Sequence, residues 1–83
     1  YVGINRDPKF KTKIHENLLE IAEIDRIIEV TGRFDLMVGA LAEDLEQLHS
    51  IVVDKIGKID GIQNTETLVE LERTEKSPMY LSS

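Results

Sequence analysis

The pattern Ile21-x-x-Ile24-Asp25-x-Ile27 returns further along the chain as Ile56-x-x-Ile59-Asp60-x-Ile62. Each copy stands where helical periodicity gives way to β-type residues, so the chain hands over from helix to strand twice in the same way. Before the first copy, Phe10, Ile14, Leu18 and Ile21 fall on one helical face, with Lys11, Glu16 and Glu20 outside it. Asp7-Pro8 supplies a side-chain cap and a proline at the first helical position, and the helix is expected to end near Ala22. Before the second copy, Leu45, Leu48, Val52, Ile56 and Ile59 form the stripe behind Asp44 and Gln47, a capping-box pair. Gly57 starts the unravelling of that helix, and Asp60-Gly61 makes a turn.

Strands fill the stretches between: residues 1–5, 25–30, 35–42 and 62–71, the last from the alternation of Thr65, Thr67, Val69 and Leu71 with Glu66, Leu68 and Glu70. The order is βαββαβ. Two βαβ halves with right-handed crossovers in one antiparallel sheet give an α+β, ferredoxin-like fold of four strands with both helices on one face. Strands two and three carry apolar residues on both faces, Ile27 against Ile28 and Val30, and Leu36 and Val38 against Met37 and Leu41. A sheet with one wet face alternates more cleanly. With no further helix to cover the second face, another copy of the chain is the expected cover, which makes the fold one that dimerises through its sheet.

At 83 residues the chain makes one small domain, which buries a lower share of its surface than a large one, and association would help it. The domain is expected over residues 1–72, with 73–83 a polar tail in which Met79-Tyr80-Leu81 could add an edge strand. The opening at Tyr1 rather than Met reads as a piece cut from a longer chain more readily than as a stand-alone protein. A net charge of −6, from 16 acidic and 10 basic residues, argues against direct contact with nucleic acid. The one basic cluster, Lys9, Lys11 and Lys13, reads as a solvated helix face. There are no cysteines, hence no disulfide, thiolate or Cys-type zinc chemistry, and no apolar run approaches a membrane span. A cytoplasmic protein is expected.

His15 and His49 lie beside the helix stripes without a second ligand at helical spacing, so they read as surface residues and not as a metal site. No nucleophile motif and no glycine-rich phosphate loop is present, strands one to four offer no His, Tyr or Cys poised over the sheet, and no cofactor is implied. Interest therefore settles on Val30-Thr31-Gly32-Arg33-Phe34-Asp35, the turn between strands two and three. Gly32 can take the positive φ that the turn requires, and Asp35 is a lone carboxylate at the head of strand three. Asp35 either caps backbone N–H groups of its own turn or meets the ammonium of a small zwitterion whose carboxylate the turn N–H groups would take.

At this turn the chain resembles a known family. The run Glu29-Val30-Thr31-Gly32-Arg33-Phe34-Asp35-Leu36-Met37-Val38, followed by Ala42-Glu43-Asp44-Leu45, Lys55-Ile56, Gly61-Ile62 and Thr65-Glu66-Thr67-Leu68-Val69, resembles the C-terminal effector domain of the leucine- and asparagine-responsive (Lrp/AsnC) transcription regulators, a module called RAM. The resemblance implies a module of the dimeric α+β barrel type that pairs through its sheet and builds higher assemblies such as octamers. It implies an amino acid or related effector bound between subunits, and DNA contact through a separate helix-turn-helix domain. Carried over by position, it implies a ligand site at Gly32, Arg33, Phe34 and Asp35, with Ile28, Leu45, Leu68, Val69 and Glu70 shaping the response. Two other readings stand beside it: an assembly module without a ligand, and a small enzyme of the same dimeric topology.

Overall fold

The computed structural model describes residues 1–74 and residue 76. The strands are β1 (Val2–Arg6), β2 (Ile24–Glu29), β3 (Leu36–Ala40) and β4 (Ile62–Thr67), and they form one antiparallel sheet in the order β2-β3-β1-β4. Helix α1 (Lys11–Leu19) follows a 3-10 turn at Pro8–Phe10, and helix α2 (Leu45–Ser50) continues as a π-helical turn at Ile51–Ile56. This is the expected βαββαβ order in a ferredoxin-like arrangement.

The periodicity of the strands sorts their residues into two faces. Val2 and Ile4 of β1 and Leu36 and Val38 of β3 point to one side and are at most 1% exposed. There they meet Ile14 and Leu18 of α1 and Ile51, Val52 and Ile56 of the second helical segment, which together make the buried core. The repeated isoleucine pattern has a structural counterpart. The N–H of Ile24 donates to the carbonyl of Ile21 and that of Ile59 to Ile56, both at 3.1 Å, and Ile21, Ile24, Ile27, Ile59 and Ile62 all pack against the core. The two handovers are therefore the same turn, used twice to close the two ends of the same layer.

Several boundaries differ from the expectations, each for a physical reason. Proline 8 starts a 3-10 turn capped by Asp7, whose carboxylate accepts from the N–H of Lys9, and Phe10 stays 37% exposed outside the core. Helix α1 stops at Leu19, because the N–H of Ile21 turns back to the carbonyl of Leu18 at 3.1 Å and releases the chain toward β2. In the second helix the N–H of Gly57 reaches the carbonyl of Val52 at 2.7 Å, five residues back, and the widened turn brings Ile51 inward beside Val52. Leu45, placed on the apolar stripe by its spacing, is instead 66% exposed. Strand β4 ends at Thr67 rather than Leu71, and just beyond it the backbones of Leu68 and Tyr1 exchange two hydrogen bonds. The suggested edge strand at Met79-Tyr80-Leu81 lies outside the described residues.

Two sets of ion pairs tie the layers together at the surface. Lys55, on the π-helical turn, donates to both carboxylate oxygens of Glu23 ahead of β2, at 2.8 and 2.7 Å. Glu29, at the end of β2, faces Lys11 at 3.4 Å and Arg6 at 3.3 Å. The hydrogen bond from Lys55 holds Glu23 below its ordinary pKa, and the positive charge of Lys11, then that of Arg6, does the same for Glu29. A carboxylate whose folded pKa is depressed contributes stability above its unfolded pKa, about 4.3 for glutamate, and loses it as pH falls through the lower folded value. Urea unfolding is thus expected to show stability that is flat near neutrality and declines on acidification below that range. Lys55→Met should remove part of the decline, and an acid limb unchanged in this variant would assign the effect to other carboxylates.

Candidate functional site

Among the described residues no helix covers the second face of the sheet, and the strand register determines what stands on it. Gly3 on β1 is opposite Met37 on β3 and Glu66 on β4, and Met37 is opposite Ile28 on β2. These four make a row across the open face. One step along, Tyr1 pairs with Leu68, and the Tyr1 hydroxyl accepts from Arg26 at 3.1 Å. A tyrosine hydroxyl thus does sit on this face, contrary to the expectation that the strands offer none. It comes from the first residue of the chain, ahead of the alternating pair Val2 and Ile4.

The apolar side chains here are far from fully covered: Ile28 is 42% exposed, Leu68 37% and Val69 50%. They border an open cavity of about 360 Å³ lined by Tyr1, Ile28, Met37, Leu68, Val69 and Glu70. An adjoining hollow of about 280 Å³ brings Leu45 to Leu68, Val69 and Glu70. The hydrogen bond from Arg73 holds the Glu70 carboxyl below the usual carboxylate range, so the rim of the cavity carries a negative charge beside a positive one. Ile28, Leu68, Val69 and Glu70, which the resemblance alone had linked, therefore share one cavity. Met37 and Tyr1 complete it, and alternation in strand three had already put Met37 on this side.

The turn lies on the same face. The N–H of Val30 donates to the carbonyl of Asp35 at 3.1 Å, which closes residues 31–34 as a loop with Gly32 at φ +103°. Nothing lies within 4 Å of where a side chain on Gly32 would begin, so its glycine is required by conformation and not by space. The carboxylate of Asp35 accepts from the N–H of Arg6 at 2.9 Å, and its own N–H donates to the carbonyl of Ile4 at 2.9 Å. Asp35 thus caps the end of the β1–β3 ladder, reaching another strand rather than its own turn. Phe34 lies flat on the bare backbone of Gly3, where a Cβ would sit 2.8 Å from three atoms of its ring. Arg33 stacks over that ring at 5.4 Å and pairs with Glu66 at 2.8 Å, while the side-chain amide of Asn5 donates to the Arg33 carbonyl at 2.8 Å. Gly3 and Asn5 were not singled out by the sequence, and Glu66 only as the middle residue of Thr65-Glu66-Thr67. For Gly3 and Asn5 the only signal was their alternation with buried neighbours.

His15 and His49 are exposed on their helices, and no group of three or more His, Cys, Asp or Glu side chains that could hold a metal ion occurs among the described residues. No helix among those residues is long and apolar enough to cross a membrane.

Comparison with known proteins agrees with this architecture. The Lrp/AsnC ligand binding domain matches residues 1–80. An uncharacterised HTH-type transcriptional regulator of Pyrococcus abyssi is 32% identical over 69 residues, which is 83% of this chain and 44% of the regulator. The chain spans about half the length of the curated relatives it matches. The structure of Escherichia coli AsnC superimposes with a TM-score of 0.84 at 24% identity, over 94% of this chain and 53% of that one. A transcriptional regulator of Neisseria meningitidis, solved as a complex with L-Met, superimposes with a TM-score of 0.74 at 17% identity, over 96% of this chain and 56% of that one. Its homologues are regulators of transcription rather than enzymes, and the chain belongs to the Lrp/AsnC ligand-binding domain family.

Proposed function

We propose that this domain binds an amino acid or a chemically similar zwitterion and self-associates through the open face of its sheet, as the effector-sensing and assembly part of a regulator of transcription. The observation that supports the reading is the cavity bordered by Ile28, Leu68, Val69 and Glu70 on the open sheet face, with the ring of Phe34 from the turn seated on Gly3 of that face. The L-Met bound to the Neisseria relative supports the ligand class. In this reading Asp35 and Glu70 offer carboxylates to an ammonium group, Arg33 and the turn N–H groups offer positive charge to a carboxylate, and Leu45 borders the site from α2. The domain performs no catalysis. It works in the cytoplasm as a dimer or a higher assembly such as an octamer, and DNA contact falls to a separate helix-turn-helix domain, in keeping with the net charge of −6 on this chain.

A ligand that binds one assembly state better shifts the equilibrium toward it by the difference in affinity and no more. The test is the melting temperature against each of the twenty amino acids at millimolar concentration. A ligand at about 100 times its dissociation constant stabilises the folded state by about 2.7 kcal/mol, a visible shift. Asp35→Asn keeps an oxygen for the N–H of Arg6 but removes the charge, so the fold should persist while the response to the amino acid is lost. A response that survives this change would place the ammonium elsewhere. One observation favours a second reading, an assembly module without a ligand: one oxygen of Asp35 is already engaged by Arg6. Twenty unmoved melting curves from a protein that still self-associates would establish that reading instead.

A further inference from the structure

Phe34 belongs to the turn by sequence but to the sheet face by position. Its ring lies on Gly3, the one residue of its row without a side chain, and Gly3 stands between Met37 and Glu66 in the register. The residue before it, Arg33, crosses the ring and pairs with Glu66 on β4 at 2.8 Å, while Asn5 holds the Arg33 carbonyl at 2.8 Å. The turn is thereby folded down over two strands beyond its own hairpin. Among the described residues no helix lies above it. A partner that covers the open face must therefore meet this ring, and a ligand that moves the turn must move it too.

We propose that Gly3, Phe34, Arg33 and Glu66 form a clasp that couples ligand binding at the turn to self-association through the sheet, with Gly3 and Glu66 as positioning residues. The proposal rests on the function proposed above. The arrangement suits a coupling element because each of its contacts is weak enough for a ligand to change. Arg33 is 76% exposed on its side chain and Glu66 35%, and an ion pair or a cation–π contact at such a site contributes little to stability. The seat on Gly3 supplies the geometric requirement. A Cβ there, 2.8 Å from the ring, forces Phe34 off the strand while leaving the buried side of β1 unchanged. Coupling then needs only that the seated and lifted positions of the ring differ in how well they accept ligand and partner.

The test uses the 83-residue chain and two readouts. Sedimentation gives the self-association constant with and without whichever of the twenty amino acids shifts the wild-type melting curve most, and proton NMR gives the α-protons of Gly3. In the wild type those protons should be displaced upfield by the ring above them, and Phe34→Leu should abolish the displacement. Ordinary allosteric coupling amounts to roughly 5- to 150-fold, and in Gly3→Ala and in the near-isosteric Glu66→Gln it should fall to under about twofold while the amino acid still binds. Glu66→Asp, which keeps the charge facing Arg33, should retain coupling that Glu66→Gln loses, an outcome that loss of packing does not produce. Folded variants that bind ligand and retain the wild-type shift in self-association overturn the clasp and leave the proposed function standing. A wild type that responds to no amino acid overturns the functional reading, and the clasp with it.

Discussion

Ile4→Ala is expected to lower the melting temperature by on the order of 10–30 °C. Ile4 is fully buried in β1, a central strand with β3 on one side and β4 on the other, and its side chain belongs to the cluster that both helical segments cover. Truncating a buried isoleucine removes transfer free energy and leaves a cavity, at a cost of about 2–5 kcal/mol. A domain of this size has only about 5–15 kcal/mol in total, and each kcal/mol moves its melting point by about 4–8 °C. Ile28→Ala is the matched control. Ile28 stands on the opposite face and is 42% exposed, so at low protein concentration its loss should move the melting point far less, while self-association weakens. Equal effects from the two substitutions would mean that the assignment of faces is wrong. If Ile4→Ala does not fold, Ile4→Val, with an expected cost of about 0.5–1.5 kcal/mol, gives the same comparison on a smaller scale.

Gly61→Ala should destabilise the domain by about 3 kcal/mol or more, whereas Gly32→Ala should cost about 1–2 kcal/mol. Both glycines hold positive φ, +94° at Gly61 and +103° at Gly32, so both substitutions carry a conformational cost. Their surroundings differ. A Cβ on Gly61 would lie 2.4 Å from the Cβ of Phe10, an atom fixed by its own backbone, while one on Gly32 would meet open space. The carbonyl of Gly61 also accepts from the N–H of Asp7 at 2.8 Å, the contact that ties the start of β4 to the end of β1. Chemical denaturation of the two variants separates the terms, since the excess at Gly61 measures the close approach of Phe10. Equal costs would show that the 3-10 turn yields freely and that conformation alone sets the penalty.

The effects of these two glycines also show how far the sequence could be read. Asp60-Gly61 and Thr31-Gly32 were recognisable as turns from their residue types, because positive φ is a property of one residue and its neighbours. That Gly61 also supports Phe10 was not recognisable, since the two meet only once β1 and β4 are paired. The same holds at the site. The turn at Gly32, the capping of α2 by Asp44 and Gln47, and the placement of Met37 opposite Leu36 and Val38 follow from local rules, and the structure contains each of them. The use of the Asp35 carboxylate by Arg6, the ring of Phe34 on Gly3, and the pairing of Arg33 with Glu66 join residues that lie far apart in the chain.

By itself, then, the sequence determined the order of the elements and the faces of the residues in β2 and β3, because the periods of helix and strand, the caps and the glycine turns act over a few residues. Tertiary structure alone decided the end of β4 at Thr67 and the π-helical turn that brings Ile51 beside Val52. It also decided the exposure of Leu45 and the partners of Asp35, Arg33 and Phe34. These depend on which backbone groups and side chains the packed layers bring within reach, and no local pattern in the sequence encodes that distance.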